Sequence, residues 1–353
     1  MRILQIGMHD QLGGIESFMM NYYKHIDKSK FQFDFVIPYK DGGYYDNEIL
    51  KLGGKIYYLS IKNDKNIFKF FKETNQIFEK NHYDIVHCSD SGLGIFYLYF
   101  AKKNKCKIRI AHSHATSVER GIKGIIKKIF EKEYIKLANV YFACSTEAGK
   151  YLFKNNNFEI IKNGIDYERF RYNSNIRNKV RNDFNIKEDE ILIGNIGRFC
   201  EQKNQIFLLD ILTNLDKKYK LMLIGDGPLK QNLKDIIENN NIENRVILLN
   251  SQRNIESYYN AFDVFCLPSI YEGLPIVGIE AQVNGLTCLF SNNISQEVKM
   301  NNNCIFLNNN LQLWKNAIEN SNCREKNISN CFDIKKNAIE LELIYNKLLK
   351  NMR

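Results

Sequence analysis

The sequence predicts an α/β protein built as two doubly wound domains that face each other across a cleft. Three observations carry that expectation. Strand-like apolar runs alternate with helix-like runs through both halves, as parallel sheets with crossover helices require. The 353 residues exceed one comfortable core and suit two domains of roughly 150 to 200 residues. Between the two series lies a charged stretch, Arg169 to Glu190, whose strand pattern is poor. The linker is placed there, giving domains over 1–172 and 173–333 and a closing helix over 334–353.

The first series begins with Arg2 to Gly7 and continues with Phe33 to Pro38, Lys55 to Leu59, Asp84 to Cys88, Lys107 to Ala111 and Val140 to Cys144. After its first strand, Gly13-Gly14 leads into a helix that turns Ile15, Phe18, Met19, Tyr22 and Ile26 inward. The second series runs through Ile191 to Gly197, Lys220 to Gly225, Val246 to Leu249, Val264 to Leu267 and Thr287 to Ser291. Asparagine clusters at 301–303 and 308–310 read as plain loops. Ile334 to Leu349 closes the fold as a helix that packs Ile339, Leu343 and Tyr345 to Leu348. In sheets of this kind ligands bind outside the carboxyl ends of the strands, so the cleft is the expected site.

Composition narrows the classes. Nine cysteines form no Cys-x-x-Cys pair, and Cys144, Cys266 and Cys288 lie inside apolar runs, as reduced core thiols do. With no signal peptide and no apolar run near 18 residues, the expectation is a soluble cytoplasmic protein. The net charge of +10 is uneven. Residues 1–172 carry 28 Lys and Arg against 19 Asp and Glu, and residues 173–353 carry 22 against 21. A basic first half suits an anionic surface or acceptor, and no nucleic-acid motif accompanies it.

Six segments carry candidate chemistry. Ser269 to Gln282 contains Glu272-Gly273-Leu274-Pro275 and Glu280, two carboxylates bracketing a strand-to-helix turn. Helix N–H groups there are unpaired and suit a diphosphate, so the stretch reads as a clamp for a nucleotide sugar. Gly197-Arg198 and Lys203-Asn204 follow a strand and precede a helix with Leu208, Ile211, Leu212 and Leu215 on its apolar face. A guanidinium and an ammonium are what a leaving diphosphate needs as its charge grows. Gly225-Asp226-Gly227-Pro228 is a turn where backbone approaches closely, and Gly14 opens the first helix near a ligand. His112 and His114 follow a strand, and either could touch a sugar; no Cys or carboxylate stands at metal-ligand spacing beside them, so no metal is expected. Gly121 to Leu137 is a basic amphipathic helix that could lie on an anionic bilayer or simply cover its own core.

Taken together, these residues resemble family 4 glycosyltransferases of the GT-B fold, which has two Rossmann-like domains. The likeness runs from the first glycine pair to the helix after Glu280. Its most specific part is Glu272-Gly273-Leu274-Pro275 with Glu280-Ala281-Gln282, the family's E-x7-E element, in a variant similar to capsule and exopolysaccharide members. Gly197-Arg198, Lys203-Asn204 and Gly225-Asp226-Gly227-Pro228 match the family's other donor-site positions. Thr287 replaces a common proline, and Asn250-Ser251 replaces a glycine near the nucleobase.

The resemblance implies a role for each residue. Glu272 contacts donor-sugar hydroxyls, Glu280 holds the ribose, Arg198 and Lys203 neutralise the diphosphate, and His114 best fits the sugar-contacting histidine. It implies transfer from a nucleoside diphosphate sugar, a UDP-sugar, to a saccharide hydroxyl on a lipid-linked acceptor, in bacterial surface polysaccharide synthesis. The anomeric configuration is retained, and neither a metal nor a further cofactor takes part. The first domain then binds acceptor and the second binds donor. A sugar-nucleotide epimerase of the same fold and a non-catalytic partner subunit are the rival readings.

Overall fold

The computed structural model describes residues 1–10, 13–114, 122–321 and 324–351, with the side chains of residues 122–127 outside that description. The chain forms two compact units, Met1–Gly164 with Phe332–Arg353, and Ile165–Cys331.

The first unit holds a seven-stranded sheet of β1 (Arg2–Ile6), β2 (Gln32–Ile37), β3 (Ile56–Tyr58), β4 (Ile85–Cys88), β5 (Ile108–Ser113), β6 (Val140–Ala143) and β7 (Glu159–Ile160). Its order is β3-β2-β1-β4-β5-β6-β7, with every recorded pair parallel. The second unit holds β8 (Ile191–Ile196), β9 (Tyr219–Ile224), β10 (Val246–Leu249), β11 (Val264–Leu267), β12 (Thr287–Ser291) and β13 (Cys304–Leu307) in the order β10-β9-β8-β11-β12-β13. These strands too are all parallel. Both are doubly wound sheets in which the strand order reverses once, between β1 and β4 and between β8 and β11. Loops leaving neighbouring strands there part in opposite directions and open a crevice.

Each unit buries its own core. In the first, Phe18, Met19 and Tyr22 of the helix Gly14–His25, with Ile26 just after it, pack with Phe33, Phe35, Ile85 and Ile110. In the second, Leu208, Ile211, Leu212 and Leu215 pack with Leu221, Leu223, Val264 and Trp314. Strands buried on both faces need continuous apolar runs, which is what made them readable.

The units meet the sequence differently from the breaks at 172 and 333. The helix Tyr167–Phe170 sits in the second unit, where the Phe170 carbonyl accepts from Asn284 Nδ2 at 2.8 Å and its ring meets Tyr259 at 5.7 Å. The helix Ile334–Asn351 belongs to the first unit, burying Ile334, Ala338, Leu341 and Tyr345. That phase corrects the expected face, since Ile339 and Leu343 lie 59% and 64% exposed. Two short strands escaped the pattern. β7 has only two residues, and β13 lies between the two asparagine clusters at the sheet edge.

Candidate functional site

In the second unit the order reverses between β8 and β11, and the two loops that leave these strands carry the predicted residues. After β8 come Gly197 and the exposed Arg198, then a 3₁₀ turn over Glu201–Lys203. Asn204 takes φ 54°, a left-handed conformation that asparagine tolerates, and lets the helix Gln205–Thr213 begin. After β11 come Ser269 to Pro275, with Pro275 as the capping residue of the helix Ile276–Val283.

The two loops are fastened to each other. Ile270 N–H donates to the Gln202 carbonyl at 2.8 Å, Gln202 Nε2 to the Tyr271 carbonyl at 3.0 Å, and Asn204 Nδ2 to the Pro268 carbonyl at 3.3 Å. Their side chains converge as well. Lys203 Nζ lies 2.5 Å from Glu272 Oε1, and the buried Ser269 hydroxyl donates to the same oxygen at 2.6 Å. The pair is well enclosed, with side chains 18% and 9% exposed. Among the described residues the Arg198 guanidinium has no hydrogen-bond or ion-pair partner, while its carbonyl accepts from Gln205 Nε2 at 3.1 Å.

The turn before the helix has the character of an anion cradle. The N–H groups of Gly273, Leu274, Ile276 and Val277 find no acceptor among the described residues. They stand at a helix amino end, where the peptide dipoles add positive potential.

Glu280 lies one turn further on, half-buried. Tyr259, in the helix Ile255–Ala261, donates its hydroxyl to Glu280 Oε2 at 2.7 Å. Burial outweighs that bond and pushes the carboxyl up to about 7. Arg324 ties the two helices' ends, donating to the carbonyls of Asn260 at 2.9 Å, Phe262 at 2.6 Å and Asn284 at 3.1 Å.

Gly225 and Gly227 have a packing task. A Cβ on Gly225 would stand 2.0 Å from the Gly197 carbonyl oxygen, and one on Gly227, at φ +154°, 2.4 Å from that of Phe199. Without side chains the turn lies against the β8 loop, with Phe199 N–H donating to Asp226 at 2.9 Å and Leu229 N–H to Phe199 at 3.0 Å.

The remaining predicted residues, Gly14 and His114, belong to the first unit. Gly14 opens its helix, but the buried Glu16 carboxylate already accepts from the His9 N–H at 3.0 Å beside it. Burial pushes that carboxyl up. An arriving phosphate would compete with a resident anion there, a conflict that the glycine pair alone conceals.

His114 is half-buried after β5, its Nε2 3.3 Å from Ser89 Oγ and its ring 5.1 Å from that of Phe18. His112 is fully buried behind it, ring centroids 4.0 Å apart. His112 Nδ1 meets His87 Nε2 at 2.8 Å, and His87 Nδ1 meets the Tyr345 hydroxyl at 2.7 Å. Burial pushes all three imidazoles down, His87 and His114 to about 3, so they are neutral near pH 7. Of the two candidates, His114 is the one a ligand can reach.

Sequence reasoning missed Ser269, Tyr259, Glu16 and Arg324. Ser269 lay within the quoted motif, three residues before Glu272, and its spacing was the available signal. The others come from distant segments and leave no local trace.

The sequence matches the family description Glycosyltransferase Family 4 over residues 12–169 and Glycosyl transferases group 1 over residues 176–320. EpsF of Bacillus subtilis (strain 168), which carries the name of a glycosyltransferase, is 34% identical over 309 residues, covering 84% of this chain and 80% of EpsF. The chain belongs to glycosyltransferase family 4. The UDP-Gal:alpha-D-GlcNAc-diphosphoundecaprenol alpha-1,3-galactosyltransferase of Escherichia coli is 27% identical over 325 residues, 82% of this chain and 81% of that one. Among solved structures, Anabaena HepE in complex with UDP and glucose has a TM-score of 0.77 at 16% identity, covering 99% of this chain and 98% of HepE. The shared fold is GT-B, and this family 4 chain is a glycosyltransferase.

Proposed function

We propose that this glycosyltransferase moves a sugar from a UDP-sugar to a hydroxyl of a lipid-linked saccharide in bacterial surface polysaccharide synthesis, retaining the anomeric configuration. One observation carries the reading. At the strand-order reversal of the second unit, Lys203 and Glu272 meet on two cross-linked loops, and the second loop runs through four unpaired N–H groups into the helix that carries Glu280. Such a set answers each part of the donor. The N–H groups, Lys203 and the unengaged Arg198 meet the diphosphate, whose charge grows as the glycosidic bond breaks. Glu280 accepts from the ribose hydroxyls and Glu272 from those of the sugar. From the first unit, His114 offers a neutral imidazole to a ligand oxygen.

The reaction asks for no side-chain nucleophile. Departure and attack on one face, with a phosphate oxygen taking the acceptor proton, retain configuration and leave the protein to position and to stabilise charge. The diphosphate charge falls on the two cations and the helix amino end, the work a divalent metal does in other transferases. The UDP and lipid-linked parts of the reading draw support from the E. coli relative, whose name states both a UDP-sugar and a diphosphoundecaprenol acceptor. For the membrane side, Ile129 is 59% exposed on the helix Ile122–Leu137 beside exposed Lys128, Lys132 and Lys136. Of the two uses open to this amphipathic helix, an exposed Ile129 suits the bilayer better than the core. Gly121 itself, and the side chains of residues 122–127 in the same segment, lie outside the described residues. No described helix is long and apolar enough to cross a membrane.

A thermal-shift series with UDP-sugars tests the reading. A donor at a hundredfold excess over its Kd stabilises the folded chain by about 2.7 kcal/mol. Lys203→Ala should shrink the shift with UDP and leave uridine binding unchanged. If no UDP-sugar raises the melting temperature, or Lys203→Ala weakens uridine and UDP equally, the donor reading is wrong.

A further inference from the structure

The Lys203–Glu272 contact is more than two donor-binding groups lying near one another. Each is expected to hold a different part of the donor, yet here they hold each other at 2.5 Å. The arrangement is built into the backbone. Glu272 N–H donates to the Asn293 carbonyl at 3.5 Å, its own carbonyl accepts from Ser295 N–H at 3.3 Å, and the Ile270 to Gln202 bond ties its loop to that of Lys203. Lys203 and Ser269 both spend their bonds on Oε1 of the carboxylate. Among the described residues Oε2 has no partner.

We infer that Glu272 makes this site discriminate the intact donor from the nucleoside diphosphate left after transfer. The inference rests on the donor reading given above. When a diphosphate arrives without a sugar, it meets a cation whose charge is already shared and a carboxylate that repels it at short range in a partly enclosed site. When the sugar is present, its hydroxyls donate to Oε2 and offset that repulsion. Transfer carries those hydroxyls away with the sugar. The repulsion is then uncompensated, and the nucleoside diphosphate leaves more readily. Ser269 keeps the carboxylate in place throughout, because its hydroxyl donates to Oε1 whether or not Lys203 has turned to a phosphate.

Calorimetry on the full chain with UDP as the probe decides the matter. Glu272→Gln keeps the shape and the oxygen but removes the charge. It should bind UDP about tenfold more tightly than the wild-type chain. For UDP-galactose or UDP-glucose, whichever the wild-type chain prefers, the ratio of the UDP Kd to the UDP-sugar Kd should fall by a similar factor. Glu272→Asp, which withdraws the carboxylate by one methylene, should shift UDP affinity the same way by less. In a Lys203→Met background Glu272→Gln should still tighten UDP, but by less than in the wild-type chain, because the repulsion is removed while no cation is freed. If wild-type and Glu272→Gln chains bind UDP equally, or the variant binds it more weakly, this inference fails and the donor reading stands. A variant that gains equally for UDP and for the UDP-sugar overturns it too. If the wild-type chain binds no UDP at all, both fall.

Discussion

Glu280 shows how one buried contact sets a charge. Its carboxyl, raised from 4.5 to about 7, holds its proton more tightly in the folded chain than in the unfolded one. The resulting stabilisation is therefore complete below about pH 4.5 and lost as pH rises through about 7. Compared with Glu280→Gln, the wild-type chain should lose about 2–3 kcal/mol of stability between about pH 5 and about pH 8, measured by urea unfolding. Ribose hydroxyls donate best to the charged form, so UDP affinity should rise over the same interval with release of a proton. A flat stability difference would show that the Tyr259 hydrogen bond, not burial, rules the site. Glu272, Glu280, Arg198 and Lys203 were legible in the sequence as candidates because each sits in a short motif at fixed distance from a strand end. Tyr259 was not, because the contact that gives it meaning reaches Glu280 from another helix.

At the level of elements, loops are held by backbone packing that only glycine permits. Gly227 combines a positive φ with an approach of 2.4 Å between the position a Cβ would take and the Phe199 carbonyl oxygen. Gly227→Ala should destabilise the chain by about 2–4 kcal/mol in urea unfolding and weaken UDP binding, because the β8 loop must retreat. A stable variant with normal UDP affinity would mean that the turn can shift freely. Strands were easy to read where both faces are buried. β13 was hidden because its four residues lie at the sheet edge between asparagine runs that look like loop. The closing helix was found but its face was mistaken. Positions 339 and 343 fit a helical stripe as well as 334, 338, 341 and 345 do, and tertiary contacts such as the Tyr345 to His87 bond and the aromatic wall at Phe31 and Phe33 choose between them. Gln282 is another case in which the motif named the residue but not its task. It donates to the carbonyls of Gly278 at 3.0 Å and Val298 at 2.8 Å and accepts from Met300 N–H at 2.8 Å, bracing the helix that carries Glu280.

For the whole molecule, the alternation of strand and helix was enough to give two doubly wound sheets, and the recurrence of the series gave two units. What alternation cannot give is which unit keeps the terminal helix. Local pattern stops at the linker, whereas the helix Ile334–Asn351 is placed by contacts with residues some three hundred positions earlier, such as the Asp27 N–H to Glu342 Oε1 bond at 2.7 Å. In the proposed reading the second unit holds the donor, and the donor's phosphates are the part that every other assignment depends on. A crystal structure of the chain with UDP tests that dependence most directly. The account predicts diphosphate oxygens within hydrogen-bonding distance of Arg198, Lys203 and the N–H groups of residues 273, 274, 276 and 277, with ribose hydroxyls on Glu280. UDP bound elsewhere, with Lys203 still closed on Glu272 and Glu280 touching no ribose, would contradict it.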